Sequence, residues 1–236
     1  MKLFEGQNEI KSNTCELSKL ATERLSSSTI DIKKVDAPLA KEIKSADKDK
    51  NVSWGEKGTF PFNSEVTIAG EKVRSDDNGN IHQKYNPETK QWELIPNNEY
   101  TVNGYDYKTN KEGKIVNVSG VLQAKSHEGR PPIKDEIPNR RETDDRGHII
   151  ADMFNGSNKI DNIVPMNKDV NQRQYRAMED YFRDEVQLGK KVEVGITIKY
   201  DDTGRPTKFI VNSIIDGEKQ PKRVFLNESD NGGTIQ

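Results

Sequence analysis

Around Val170 the hydrophobic period of this sequence changes from two to 3.6, and after Gly189 it changes back. Between those points Val170, Ala177, Met178, Tyr181, Phe182 and Val186 make a broad apolar stripe. The stripe predicts a single helix of roughly 17 residues, about 25 Å long. Asp169 stands where a capping residue would, with Gln172 as its reciprocal partner, and Gly189 stands where a helix stops. Strands are expected on both sides of this helix.

Downstream, residues 191–200 alternate, with Val192, Val194, Ile196 and Ile198 on one face and Glu193, Thr197 and Lys199 on the other, as a half-buried strand requires. Residues 209–215 return, and 223–226 read as a short edge strand, with fraying expected from Asn227 onward. Upstream, 65–68, 82–85 and 91–95 read as strands, with Asn78-Gly79 marking a tight turn. A further hairpin is expected over 99–124, where Tyr100, Val102, Tyr105 and Tyr107 precede a polar turn and Ile115, Val116, Val118 and Val121 follow it. Gly129, Pro131, Pro132 and Pro138 break regular structure over 126–141. His82 reads as a surface strand residue and His127 as a solvated loop residue, because neither has a partner at ligand spacing.

The first fifty positions are different in kind. Lys, Glu, Ser and Asp dominate them, with weak amphipathic patterns at 17–25 and 38–45. The expected organisation is a polar, partly helical or flexible leader over 1–50, a short hairpin region over 51–96, one main domain over 97–228 and a flexible tail over 229–236. With 31% hydrophobic and 32% charged residues, a compact unit with a poorly packing extension is the natural outcome. A net charge of −2 gives no general attraction to nucleic acid or to an anionic membrane, so any polyanion site must be local. The single Cys15 excludes an internal disulfide and a thiolate metal cluster. Residues 1–20 lack the apolar core of a cleaved signal peptide, and no run approaches the ~20 apolar residues of a membrane span.

Chemistry-bearing residues concentrate between 144 and 183. Asn171 falls in the first turn of the expected helix, and Tyr175, Glu179 and Arg183 follow at steps of four, near one face. In a regular helix Asn171 and Glu179 lie about 12 Å apart along the axis, too far to ligate one ion directly together. The Asn171 carbonyl oxygen on a metal, with Glu179 reaching it through bound water, is workable, and such oxygen-only, water-rich ligation suits Mg²⁺. Read alone, Glu179 and Arg183 also fit an i,i+4 ion pair on a solvated face. His148 ends a short turn before Ile149-Ile150-Ala151, and a neutral imidazole can take a proton from water if its other nitrogen is held by an acceptor. A lone histidine beside a strand is also a common structural residue.

Taken together, Asp145-Arg146-Gly147-His148, then Asn162-Ile163-Val164-Pro165, then Asn171-Gln172 and Glu179 with Arg183 resemble the signature of the DNA/RNA non-specific endonucleases, the ββα-metal or His-Me finger group. The order agrees, and so do the gaps of nine from Asn162 to Asn171 and eight from Asn171 to Glu179. The resemblance covers roughly 99–228 and leaves the first 95 residues aside.

It implies an α+β fold: a ββα-metal core in which a β-hairpin carries His148 against one main helix, backed by a small antiparallel sheet and preceded by the polar extension. It implies His148 as general base, Asn171 as direct Mg²⁺ ligand with Mn²⁺ as a substitute, and Glu179 ordering the metal's waters. Asn162 would hold His148 or line the site, and Arg146 and Arg183 would bind phosphate, where a guanidinium fork suits two oxygens. The implied substrates are DNA and, beside it, RNA, cut without sequence preference. The whole arrangement resembles a bacterial polymorphic toxin: a nuclease domain behind a polar linker, secreted by a leaderless route, active in the cytoplasm of a target cell and matched by an immunity protein, with no membrane role. The competing expectation is a non-catalytic β-rich partner-binding module.

Overall fold

The computed structural model describes residues 30–31, 58, 60–125, 129 and 132–228. The helices expected at 17–25 and 38–45, Cys15, His127 and the tail 229–236 lie outside the described residues.

The early strands build a sheet of their own. β1 (Ile30–Asp31) pairs in parallel with β2 (Glu65–Ile68), and β3 (Glu71–Ser75), β4 (Ile81–Asn86) and β5 (Gln91–Leu94) follow as antiparallel neighbours. Val66, Ile68, Val73 and Ile81 pack with Phe60 into a small core. At the turn between β3 and β4, the Asp76 carboxylate accepts from the backbone N–H of Asn78 and Asn80 at 2.9 and 2.7 Å, and its other oxygen accepts from Thr101 at 2.9 Å. One side chain thus shapes the turn and stitches this sheet to the next.

The second sheet opens with β6 (Glu99–Val102), β7 (Tyr105–Thr109) and β8 (Ile115–Val121), where Tyr105 and Tyr107 point inward as their alternation requires. The chain then leaves it for an antiparallel pair, β9 (Asp144–His148) and β10 (Ile163–Asn167), in a register that sets His148 opposite Ile163 and Asp144 opposite Asn167. Helix follows, and β11 (Val192–Tyr200), β12 (Pro206–Ile215), β13 (Glu218–Lys219) and β14 (Arg223–Leu226) complete the large sheet in the order β13-β12-β11-β8-β7-β6, with β14 on β12. Val192, Val194, Ile196 and Ile198 are buried, each contributing about 1.5–3 kcal/mol relative to exposure. No helix among the described residues is long and apolar enough to cross a membrane.

The helix runs where the period predicts but not as a uniform spiral. Val170–Tyr175 is wound as a π-helix, and α1 (Arg176–Gln187) continues from it. Gly189 takes φ 80° and ends it, as expected. The expected cap is two residues too late: Asp169 already has helical backbone angles and makes no capping bond. Asn167 caps instead, its Oδ1 accepting from the Asp169 N–H at 3.0 Å, while Asp169 pairs with Arg173 at 3.1 Å. Inward-facing Tyr175, Met178 and Phe182 seat the helix on the large sheet, with Tyr175 edge-on to Phe209 and Phe225 at 5.8 and 5.1 Å.

Two buried polar clusters differ from the sequence expectations. His82 is 3% exposed rather than on a solvent face, and its Nε2 lies 3.2 Å from Oδ2 of the buried Asp161. Its partner is 79 positions away, beyond any local spacing rule. Asn227, expected to fray, is fully buried: its Oδ1 accepts from Asn167 N at 2.6 Å and its amide donates to the carbonyls of Pro165 and Pro206 at 3.0 and 2.7 Å. Beside it the Arg205 guanidinium grips the Asp144 carboxylate with two bonds, 2.8 and 2.6 Å, and donates to the Asn227 carbonyl at 2.9 Å.

Breaking this pair with Asp144→Ala leaves a buried guanidinium unpaired and should cost about 3–5 kcal/mol in a denaturant titration. Burial alone would raise the Asp144 carboxyl, but hydrogen bonds from Arg205 and the Arg141 N–H hold it below the ordinary range; burial likewise opposes, and the hydrogen bond from His82 overcomes, in the lowering of Asp161. Both groups are depressed in the folded state, so their stabilisation is complete above the unfolded value of about 3.9 and is lost as pH falls through the folded values. Denaturation midpoints should therefore hold from pH 7 to about 5 and drop below about 4.

Candidate active site

Three residues of β9 build one wall of a cavity of about 890 Å³. Asp145, Arg146 and His148 line it, and the next turn adds Asp152. The opposite wall comes from the helix: Asn171, Gln172, Arg176 and Glu179, with Arg140 at the rim.

β9 is held close to β10, the strand that leads into the helical wall. A Cβ on Gly147 would come within 2.4 Å of Met166 Cβ across the pair, so only glycine lets the strands approach at this register. Past His148 the chain is held by Asn162, which is fully buried and forms four bonds: it accepts from Ile150 N and Tyr107 Oη at 2.9 and 3.1 Å and donates to the carbonyls of Ile150 and Ser157 at 2.8 and 2.9 Å. Asn162 was expected to hold His148 or line the site, and it is not among the residues that line the cavity. It fixes the backbone of the loop that follows His148.

The His148 ring is 6% exposed, and its Nε2 is 2.8 Å from Asn158 Oδ1. Asn158 in turn donates to Asp152 Oδ1 at 3.1 Å, and Lys125 closes on the other Asp152 oxygen. Facing them, the amide nitrogens of Asn171 and Gln172 both donate to Asp145 Oδ2, at 3.0 and 2.8 Å. With its nitrogen committed to Asp145, the Asn171 amide turns its carbonyl oxygen the other way.

The π winding matters to the register of this wall. Bonds from i to i+5 widen the turn, so four residues fall short of a full turn where the α-helix overshoots it. From Asn171 to Tyr175 and from Tyr175 to Glu179 the two errors oppose, and Asn171 and Glu179 line one cavity while Tyr175 drops inward to donate its hydroxyl to the Ile149 carbonyl at 3.0 Å. Arg183 is not among the lining residues, and its guanidinium is engaged by Asp180 and Asp184 at 2.6 and 2.9 Å. Arg146 does line the cavity, steadied by the Ile133 carbonyl at 2.9 Å.

Of the residues the sequence pointed to, the structure brings His148, Arg146, Asn171 and Glu179 to one cavity and leaves Arg183 and Asn162 outside its lining. Sequence reasoning passed over Arg140, Asp152, Asn158 and Arg176. Arg176, five positions past Asn171, reaches the same face only because the turn is π-wound, which a 3.6-residue helical wheel would not show; Asn158 had no local signal, since it sits in a polar loop whose partner precedes it by ten positions.

A family model described as DNA/RNA non-specific endonuclease matches residues 96–217, a little over half of the 236 and inclusive of every lining residue. The type VII secretion system protein EssD of Staphylococcus aureus strain USA300 is 32% identical over 143 residues, covering 56% of this chain and 23% of that protein. The probable deoxyribonuclease RhsA of Dickeya dadantii strain 3937 is 31% identical over 87 residues, 36% of this chain and 6% of that protein. The chain therefore spans less than a quarter of the length of these relatives. Among solved structures, NucA from Streptococcus agalactiae with magnesium ion bound aligns with a TM-score of 0.43 and 14% identity, covering 73% of this chain and 85% of that one.

Gly147→Ala tests the close approach of β9 to β10. The added methyl must displace Met166 Cβ, and the loss in stability should be about 1–3 kcal/mol, read from denaturant midpoints and reduced in the double variant with a smaller residue at Met166.

Proposed function

Because the chain belongs to the DNA/RNA non-specific endonuclease family, we propose that its cavity hydrolyses phosphodiester bonds of DNA, and of RNA beside it, without reading sequence. The observation that carries this is the meeting of His148 and Asn171, 23 positions apart, on facing walls of one cavity that also holds Arg140, Arg146 and Arg176.

His148 takes a proton from water, whose oxygen then bonds to phosphorus as the P–O bond to the 3′ oxygen breaks. The departing oxygen is reprotonated from solvent. Arg140, Arg146 and Arg176 meet phosphate oxygens, and contacts of that kind position a strand without specifying its bases. The donor set suits a hydrated Mg²⁺: Asn171 would hold it through its carbonyl oxygen, which the bond to Asp145 turns away from that carboxylate, and Glu179 would reach it through water. Among the described residues no three His, Cys, Asp or Glu side chains converge as a metal cage, which fits an ion that keeps most of its water shell. When bound, such an ion stabilises charge on the phosphate and the departing oxygen, and Mn²⁺ can take the same oxygen ligands. Arg183, engaged by Asp180 and Asp184, has at most an outer part in binding the strand.

The likeness to EssD, a type VII secretion system protein, supports the further reading that this nuclease is the toxin portion of a secreted antibacterial effector. It would be exported from the producer, act in the cytoplasm of a target cell and be restrained in the producer by an immunity protein.

Purified chain should degrade plasmid DNA and RNA with Mg²⁺ and cease in EDTA; intact nucleic acid under every divalent ion would remove the nuclease reading. His148→Ala should abolish cleavage, a loss on the order of 10²–10⁴-fold for a missing general base, while leaving Mg²⁺ binding by calorimetry unchanged. Asn171→Ala should weaken both. Expression of the wild-type chain in a bacterial cytoplasm should stop growth where His148→Ala does not, and equal growth of the two would count against the toxin role.

A further inference from the structure

The loop between the 3₁₀ turn Asp152–Phe154 and β10 carries the residue that contacts the His148 ring. Asn158 could in principle present either end of its amide to that ring. The chain of bonds behind it decides which. Asp152 Oδ1 lies 3.1 Å from the Asn158 nitrogen, and a carboxylate closed on by the Lys125 ammonium can only accept. The nitrogen of Asn158 therefore faces Asp152, and its oxygen faces His148 Nε2 at 2.8 Å. A carbonyl oxygen opposite a ring nitrogen requires an N–H there. In a neutral imidazole the other nitrogen, Nδ1, then carries the lone pair.

This loop is stapled on both sides of Asn158. From the nuclease core, Asn162 binds the Ser157 carbonyl at 2.9 Å. From the other side, Asp135 accepts from Ile160 N at 3.1 Å while paired with Arg74 of β3 at 3.3 Å, and Gln83 of β4 donates to Asp161 Oδ2 at 2.7 Å. Arg74, His82 and Gln83 all lie outside the matched span 96–217.

We propose that Asn158 is a positioning residue for the base: held by Asp152 and Lys125, and by a loop that the preceding sheet helps to clamp, it fixes His148 as the Nε2–H tautomer, so that Nδ1 receives the proton from water. This rests on His148 acting as the base. The proton lands on Nδ1, and the imidazolium keeps its Nε2–H on Asn158 until Nδ1 returns the proton to solvent.

The test is ¹⁵N NMR of chain labelled at its three histidines, with the His148 signal identified by its absence in His148→Ala, alongside steady-state cleavage of plasmid DNA. Wild type should show a protonated Nε2 and an unprotonated Nδ1. Asn158→Leu, which has no acceptor, should show mixed tautomers and lose on the order of 10- to 100-fold in kcat with KM little changed. Asn158→Asp restores an acceptor and should return the Nε2–H signature, with kcat above that of Asn158→Leu but below wild type, because the carboxylate adds negative charge where the phosphate approaches. Asp152→Asn keeps the loop but frees the amide to turn over, and it should also mix the tautomers, which covers the case in which Asn158→Leu fails to fold. A wild-type ring protonated at Nδ1, or full kcat in Asn158→Leu, would overturn the proposal. A wild type with the expected tautomer that cuts no nucleic acid would leave the positioning intact and end the nuclease reading instead.

Discussion

The architecture depends on a buried guanidinium. Arg205, 3% exposed, sits where the large sheet meets the β9–β10 pair, and a charge so placed is tolerable only if every donor finds a partner. It finds them in the first residue of β9, through Asp144, and in the residue that follows β14, through the Asn227 carbonyl. Asn227 carries the connection on to Pro165 and Asn167 of β10. Strands that share no ladder with the large sheet are thereby fixed against it by polar bonds of defined length and angle. Apolar packing alone would allow them to slide. A slide of one residue would exchange the faces of β9 and turn His148 out of the cavity.

The helix inherits its position from the same knot. Asn167 is at once a knot member, through Asn227, and the cap that starts the helix, through Asp169 N. Three residues separate that cap from Asn171, so the placement of the helical wall relative to β9 is set at its first turn. Asp145 closes the remaining gap by taking hydrogen bonds from both Asn171 and Gln172. The π turn follows at once, and π turns are rare in helices that only pack. Here the wide turn lets Tyr175 reach inward to the aromatic pair Phe209 and Phe225 without taking Asn171 and Glu179 away from the cavity.

What the sequence could reveal of this follows from range. Periodicity is a local property, so the alternation of 191–200, the inward tyrosines of β7 and the extent of the helix were all legible. Ordered motif residues were legible as well, and His148 with Asn171, Glu179 and Arg146 could be assembled from spacing and resemblance before any coordinates. Long-range polar pairing was not. Asp144 and Arg205 are 61 positions apart, His82 and Asp161 are 79, and each residue considered singly belongs to a type that is usually solvated. The same reasoning placed His82 on the surface and Asn227 in a fraying tail, because nothing nearby in sequence signals a buried partner. Arg183 fits the motif spacing, yet two aspartates of its own helix, Asp180 and Asp184, engage it; a motif specifies order, and competition among neighbouring charges decides where a long side chain goes.

The choice of an amide beside His148 fits the electrostatics of the whole molecule. A carboxylate in direct contact with the ring would hold the same tautomer and stabilise the imidazolium more strongly, but it would add a negative charge at the place where a phosphodiester must approach. The chain carries a net charge of −2, and its cavity already sets Asp145, Asp152 and Glu179 among three arginines. Little surplus positive charge exists to offset another anion at the point of attack. Asn158 resolves this by being neutral where it meets the ring, while the charge that orients it lies one bond further out, on Asp152, and is compensated there by Lys125. Direction is passed along the relay and net charge is not, so under the proposed reading His148 would be held in one tautomer without repelling a phosphate at its side.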